Sequence, residues 1–346
     1  MITKSTPPLY RRKHIQPEIK VGKNWQSALA QAIRDPVELL RQLELPVSLA
    51  EQVSLPAEFP LRVTHSFLRR MEPGNPNDPL LRQVLPLETG AESENWGSDD
   101  PVGDHEAMAG PGLLQKYHGR VLLVSTAACA VHCRYCFRQH FPYQQANPLG
   151  TQWPATLNWL KSNPDIHEII LSGGDPLSMS DERLDRIIDQ LNRLEHLRTL
   201  RIHTRLPVVL PQRIDDSMLG WLKASRLKVV IVLHINHPNE INQELVEALA
   251  RIRSFGVTLL NQAVLLRGIN DHGETLIELS EKLFEAGVLP YYLHQLDRVR
   301  GAACYEVPIE TGRRLVASLR ERLPGYLVPR YVKEIPGQSS KSPIYG

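Results

Sequence analysis

Beyond residue 112 the chain alternates between short apolar, β-branched runs and longer amphipathic stretches. Val121 to Ser125, Ile166 to Leu171, Thr199 to His203, Val229 to Leu233, Val257 to Val264 and Leu289 to Leu293 have the length and composition of buried strands. Apolar residues recur at helical spacing over about 154–163, 181–195, 214–225, 239–254, 272–286 and 309–323. Strands and helices in alternation predict a parallel sheet, because each crossover helix returns the chain to the same end. Six such units are too few for a closed eight-stranded barrel, so the predicted fold is α/β, an open (βα)6 partial barrel.

Upstream, residues 1–87 mix proline-punctuated turns with helical stretches at Trp25 to Ile33 and Pro36 to Leu43, the spacing of small helices laid against a larger body. Residues 88–112 shift to Gly, Ser, Asp, Glu and Pro and read as a connecting loop, long enough to border an active site. The barrel is expected over 113–325 and a separate C-terminal segment over 326–346. Chemistry in such folds collects beyond the C-terminal ends of the strands. The chemically capable residues fall there in phase. A cysteine loop follows the first strand, Ser172-Gly-Gly-Asp175 the second, Thr204 and Arg205 the third, and His234 the fourth; Asn261 and Gln262 lie late in the fifth, and Gln295 and Asp297 follow the sixth.

Composition narrows the class. Lys and Arg total 40 against 38 Asp and Glu, a formal net charge of +2, which argues against a nucleic-acid-binding protein and leaves Arg11, Arg12 and Lys13 as a solvated patch. A polar start and the lack of any 18-residue apolar run predict neither secretion nor membrane insertion. With clustered free cysteines, the expected location is the cytoplasm.

Three of the 4 cysteines, Cys129, Cys133 and Cys136, form a CxxxCxxC loop, and Cys304 lies far along the chain. Three thiolates on one face of a [4Fe–4S] cube leave one iron open to a small molecule. The alternative is a zinc site completed by His132 or His140, although structural zinc usually draws its ligands from two knuckles and only one is present here. In Ser172-Gly173-Gly174-Asp175 the glycines admit close approach of backbone to a ligand, and a tight turn before the helix near Asp181 explains them equally well.

The cysteine loop resembles that of the radical S-adenosylmethionine (SAM) enzymes, whose core is also an open partial barrel. Leu171-Ser-Gly-Gly-Asp-Pro176, Thr204-Arg-Leu-Pro-Val-Val-Leu-Pro-Gln-Arg213, His234-Ile-Asn-His-Pro-Asn-Glu240, Asn261-Gln-Ala-Val-Leu-Leu-Arg-Gly-Ile-Asn-Asp271 and Pro290-Tyr-Tyr292 narrow the likeness to the lysine 2,3-aminomutases, over about Asp100 to Pro343. The resemblance implies a [4Fe–4S] cluster on the three cysteines, with SAM on Ser172, Gly173, Gly174, Asp175 and His234. It also implies pyridoxal 5′-phosphate (PLP) carried by Lys341, in Pro336-Gly-Gln-Ser-Ser-Lys341-Ser-Pro343, and held by Tyr117, Arg120 and Gln262. Arg138 matches the residue that takes the substrate carboxylate, and Asp297 and Glu334 the pair around its distal ammonium, with Glu334 replacing the family's aspartate. Taken without the family match, Lys341 is a surface charge, Arg120 and Arg138 are salt-bridge partners, and Glu334 is a solubilising acid.

The implied reaction converts free L-α-lysine to β-lysine with an electron donor such as flavodoxin or ferredoxin. His272 stands where longer members have a cysteine, so their zinc-stapled assembly is not expected. Within the family the chain most resembles the short bacterial members that make β-lysine for attachment to elongation factor P by a separate ligase. Two alternatives stand beside this reading. One is a mutase for another amino acid such as arginine, glutamate being disfavoured because its distal carboxylate would face Asp297 and Glu334. The other is a zinc-stabilised adaptor of translation components, which metal analysis of anaerobically purified protein would distinguish.

Overall fold

The computed structural model describes residues 24–53, 55–56, 58–85, 96–146 and 148–345. The Arg11 to Lys13 patch and residues 88–95 of the expected connecting loop lie outside them. One sheet runs in chain order through β1 (Met108–Gly110), β2 (Leu113–Leu114), β3 (Arg120–Thr126), β4 (Glu168–Gly173), β5 (Thr199–Thr204), β6 (Lys228–His234), β7 (Thr258–Val264), β8 (Leu289–His294), β9 (Arg330–Lys333) and β10 (Ser342–Pro343). From β3 to β9 every neighbouring pair is parallel. An antiparallel β1–β2–β3 meander and a β9–β10 hairpin extend the two edges.

The N-terminal region contributes α1 (Trp25–Ala30), α2 (Pro36–Gln42) and α3 (His65–Leu68). Of the remaining helices, α4 (Trp153–Ser162), α5 (Asp181–Asn192), α7 (Asp216–Ala224), α8 (Gln243–Arg253), α9 (Gly273–Glu285) and α10 (Ile309–Arg322) follow β3 to β8 in turn; α6 (Leu206–Val209) is a single turn directly after β5. The six strands and six crossover helices read from the hydrophobic rhythm are all present, in an open partial barrel. The additional parallel strand, β9, was assigned from sequence to the C-terminal segment. Its four residues, Arg330-Tyr-Val-Lys333, are too few and too polar at both ends to show a period.

Alternation along each strand decides what the barrel holds. On β5, Leu200 and Ile202 are fully buried in the main apolar core, whereas Arg201 and His203 point the other way, into a cavity. That inner surface is hollow rather than filled by layers of apolar side chains, and charged residues such as Arg138, Asp297 and Lys341 stand on it.

The N-terminal helices start on side-chain caps: Asn24 for α1, Asp35 for α2 with Pro36 at the first helical position, and Thr64 for α3. Trp25, Leu39, Leu40 and Phe67 join the same apolar core as the barrel, so this region shares the barrel's hydrophobic stabilisation. It also grips the cysteine loop. Arg134 donates to the carbonyls of Phe59 at 2.7 Å, Pro60 at 2.8 Å and Val84 at 3.2 Å.

The paired glycines after β4 accommodate backbone from the adjacent loop. Gly174 N donates to Thr126 O and Asp175 N to Ala128 O, both at 2.7 Å, and Gly173 takes φ of 110°. A Cβ on Gly174 would lie 2.6 Å from Ala128 O. The turn and the cysteine loop are therefore one unit, since any bulk at Gly174 pushes on the segment leading into Cys129. Gly174→Ala is expected to cost about 1–3 kcal/mol, as overpacking does. Urea unfolding should show a lowered midpoint at unchanged slope, and an unaltered midpoint would contradict the close approach.

Candidate active site

A cavity of ≈ 810 Å³ opens at the C-terminal ends of the strands and runs down the inner face of the sheet. Cys129, Cys133 and Cys136 line its wall as half-buried free thiols. Seclusion from solvent pushes the Cys136 thiol up to about 11, with the charge of Cys133 adding to the effect; Cys129 is pushed up for the same reasons, with Asp175 contributing. Close thiols of which Cys129 and Cys136 are both pushed up suit a positively charged centre, which a cluster's irons supply. His132 places Nδ1 2.7 Å from Pro60 O and stacks on Phe59, and His140 places Nε2 3.2 Å from Arg300 O. Among the described residues no three His, Cys, Asp or Glu converge on a single ion, whereas a cube spaces its ligands more widely.

Behind the cysteines lies a buried polar node. Arg205 donates from Nη1 to Cys133 Sγ and Tyr135 Oη, both at 2.7 Å, and from Nη2 to Gln83 Oε1 at 2.6 Å and Glu240 Oε2 at 2.8 Å. Glu240 is 0% exposed and also accepts from Gln83, Asn236 N and His237 N. Against the desolvation of burial, Arg205 holds its carboxyl below the usual range. Asp175 pins the adjoining loops: its carboxylate accepts from Thr204 Oγ1 at 2.6 Å, Arg205 N at 2.7 Å, Leu206 N at 2.8 Å and Leu177 N at 3.1 Å. His234 lies within 3.1 Å of Tyr135 Oη, its ring stacked on that tyrosine, and burial lowers it to about 3, so it is a neutral imidazole.

The opposite wall is a chain of alternating charges. Arg138 Nε meets Asp104 Oδ2 at 2.7 Å while its Nη1 reaches Ser172 Oγ at 3.1 Å. Lys116 Nζ lies 2.7 Å from Asp104 Oδ1 and 3.6 Å from Glu334 Oε1. Glu334 Oε2 takes Lys341 Nζ at 2.5 Å, and Tyr117 donates to its other oxygen at 2.6 Å. Burial works against ionisation of Asp104, yet Arg138 and Lys116 hold it down at about 2. Asp297 differs. Its place inside the cavity raises it to about 7, with Glu334 adding to the rise and Lys341 opposing it.

Arg120, Gln262, Gly173 and Gly174 also line the cavity, so every site residue expected from the sequence faces one space. His203 lines it too, and its buried Nε2 has no partner, an atom that a bound ligand would satisfy. Asp104, Lys116, Gln83 and Glu240 were not singled out from sequence. Gln83 and Asp104 lie upstream of the strand rhythm, where nothing local marks them. Glu240 at least stood inside the His234-to-Glu240 string.

The Radical SAM superfamily matches residues 123–280. Among curated relatives, the L-lysine 2,3-aminomutase of Escherichia coli (strain K12) is 45% identical over 323 residues, 93% of this chain and 94% of that one. That of Haemophilus influenzae is 43% identical, covering 94% and 97%. The one from Clostridium subterminale is 33% identical over 90% of this chain and 76% of its own length.

Removing the anion from the buried node should be costly, because Arg205 would remain charged and unpaired. Glu240→Gln is expected to lose about 3–5 kcal/mol at neutral pH. Glu240 is ionised more readily folded than unfolded, so its contribution is complete above the unfolded value of about 4 and is lost as the pH falls through the folded one. Urea titrations of both proteins at several pH values should therefore show the gap between them narrowing in acid; a gap that widens would refute the pairing.

Proposed function

The chain belongs to the L-lysine 2,3-aminomutase family of the radical SAM superfamily, and from this premise we propose that it is an isomerase that moves the α-amino group of free L-lysine to C3, making β-lysine. The family works with a [4Fe–4S] cluster, SAM and PLP. When bound, these groups supply the carbon radical that removes a hydrogen atom and the conjugated system across which nitrogen migrates. The observation that carries the reading is a single cavity containing both the three cysteines and Lys341, with acids beside the lysine.

Within that cavity each wall has a task. Cys129, Cys133 and Cys136 are assigned to the cluster, and Arg205 offsets the charge on Cys133. Ser172, Gly173, Gly174 and Asp175 are assigned to SAM together with His234. Asp175 acts by fixing the loops that form the site, since its oxygens are filled by four donors of this chain. Lys341 is assigned to PLP, with Tyr117, Arg120 and Gln262 around it. Its loop is held at both ends by the β9–β10 hairpin, which sets the lysine over the cavity while Gly337, at φ of 78°, lets the backbone turn. Arg138 binds the substrate carboxylate, oriented by Asp104, and the acidic end at Asp297 and Glu334 favours a cationic side chain over an anionic one.

We further infer that the β-lysine is used by a ligase that attaches it to elongation factor P. The likeness to the short members of the family supports this. A flavodoxin or ferredoxin as electron donor fits a reducing, cytoplasmic setting, and among the described residues no helix is long and apolar enough to cross a membrane.

An anaerobic assay of reconstituted protein with SAM, PLP, reductant and L-lysine should yield 5′-deoxyadenosine and β-lysine together by mass spectrometry. Lys341→Ala should keep its iron and lose β-lysine by at least about 10³-fold; undiminished β-lysine would remove Lys341 from the chemistry. Lysine binding, measured by calorimetry from about pH 5 to 8, should tighten as the pH rises through about 7 and then level off, because the ammonium requires Asp297 ionised. Asp297→Asn should flatten that profile.

A further inference from the structure

The cavity that holds the cysteines runs the length of the barrel. The cysteines follow the C-terminal end of β3, whereas Arg120 opens β3 and Arg330 opens β9 at the other end, and all of them line one space. At that other end the cavity reaches solvent, for Arg320, Arg330 and Tyr345 line it and are exposed. Arg320 lies in the last turn of α10, and the short turn Gly325–Leu327 separates it from Arg330. The same two arginines also line a second cavity of ≈ 320 Å³ beside the opening.

Charge pairing sets them apart. Lys116, Arg138, Arg201, Arg205 and Lys341 line the main cavity too, and each forms an ion pair with an acid. Among the described residues the guanidiniums of Arg320 and Arg330 have neither an ion pair nor a hydrogen bond, and that of Arg120 has only the face of Tyr117, 5.6 Å from the ring centre. Cations without an acid therefore stand at the opening and again further in.

We propose that Arg320 and Arg330 form an outer anion site that captures the phosphate of PLP as the cofactor enters through the N-terminal end of the barrel, on its way to the inner site at Arg120. This deepens the aminomutase reading and rests on its assignment of PLP to Lys341.

A phosphate monoester carries close to two negative charges at neutral pH, and a planar guanidinium meets it with paired N–H groups. Capture at Arg320 and Arg330 breaks no ion pair, whereas Arg138 and Lys116 are already matched by Asp104. The opposite end repels a phosphate, because Asp297 and Glu334 follow the C-terminal ends of β8 and β9. Orientation agrees with this direction of entry. A molecule held by its phosphate at the opening leads with its aldehyde toward Lys341, and the phosphate then follows to Arg120, at the same end of the barrel. Tyr291 and Tyr292 line the way. Tyr291 donates to Tyr292 Oη at 3.1 Å, and Lys341 Nζ lies 6.0 Å from the centre of the Tyr292 ring. Burial pushes Tyr291 up to about 12 against the charges of Arg201 and Arg330, so a neutral hydroxyl stands beside both guanidiniums.

Anaerobic stopped-flow absorbance tests the proposal by following PLP as it joins Lys341 in cluster-loaded protein free of PLP, with the signal of Lys341→Ala subtracted. Pyridoxal, which has the aldehyde and no phosphate, is run in parallel. In wild type the rate constant for PLP should fall steeply as salt rises, since screening weakens steering, and that for pyridoxal should stay level. Arg320→Gln combined with Arg330→Gln should slow PLP at low salt by roughly tenfold or more and leave pyridoxal unchanged. Arg320→Lys combined with Arg330→Lys keeps both charges, so it should recover most of the rate, and it covers the chance that the glutamine variant folds poorly. Unchanged PLP capture in the glutamine variant, or equal slowing of PLP and pyridoxal, would overturn the outer site and leave the cofactor assignment standing. Capture at the wild-type rate followed by faster release would put the arginines in the inner site and likewise overturn it. A wild-type signal no larger than that of Lys341→Ala would overturn the assignment of PLP to Lys341 as well.

Discussion

The buried pairing of Arg205 with Glu240 is the constraint on which the rest of the site depends. A guanidinium removed from water must be met by a carboxylate and by acceptors for its remaining N–H groups, or it destabilises the fold by several kcal/mol. Here the groups that meet it come from separate parts of the chain: Gln83 from the N-terminal region, Cys133 and Tyr135 from the loop after β3, and Glu240 from the segment after β6. Its own backbone N–H is held by Asp175, from the loop after β4. One charge thereby fixes the relative positions of the cysteine loop, the glycine turn and the N-terminal helices. The N-terminal region forms part of the wall of the site as well as covering the barrel.

A second constraint follows from the barrel being open. No strand pairing joins β1 to β10 among the described residues, so the two edges meet through side chains, Tyr117 and Lys116 on Glu334, and through close packing at Gly103, where a Cβ would lie 3.0 Å from Pro336. With no ladder closing the ring, the width of the interior is set by side chains at the seam rather than by strand number and shear alone. Side-chain bridges leave the room and place charged groups at the seam. The lysine loop hangs from the same edge, which couples the stability of the seam to the position of Lys341. The short antiparallel additions at either edge also protect the sheet from pairing with other chains.

Much of this was legible from residue order. The hydrophobic period gave the six strands and helices from β3 to α10 because a strand buried on one face and a helix on another must repeat at 2.0 and 3.6 residues whatever surrounds them. The same period put the cysteines, Ser172-Gly-Gly-Asp175, His234 and Asp297 at one end of the sheet, since parallel strands all finish on the same side. Local spacing likewise marked the three thiols, whereas Lys341 stands out only through the resemblance of its segment, Pro336 to Pro343, to the family.

Partnerships between residues far apart in the chain were decided only by the tertiary structure, because they leave no local period. Gln83 and Glu240 are 157 positions apart, and Tyr117 and Glu334 are 217 apart. Short β9 pairs with β8 without an apolar alternation long enough to read. The glycine at Gly174 was ambiguous between ligand approach and a tight turn until the fold brought Ala128 against it. Sequence alone determined which chemical groups stand at the mouth of the barrel. Folding decided which of them neutralise one another and which, like Asp297, still face the cavity unpaired, because that depends on three-dimensional proximity and on how far each charge is withdrawn from water.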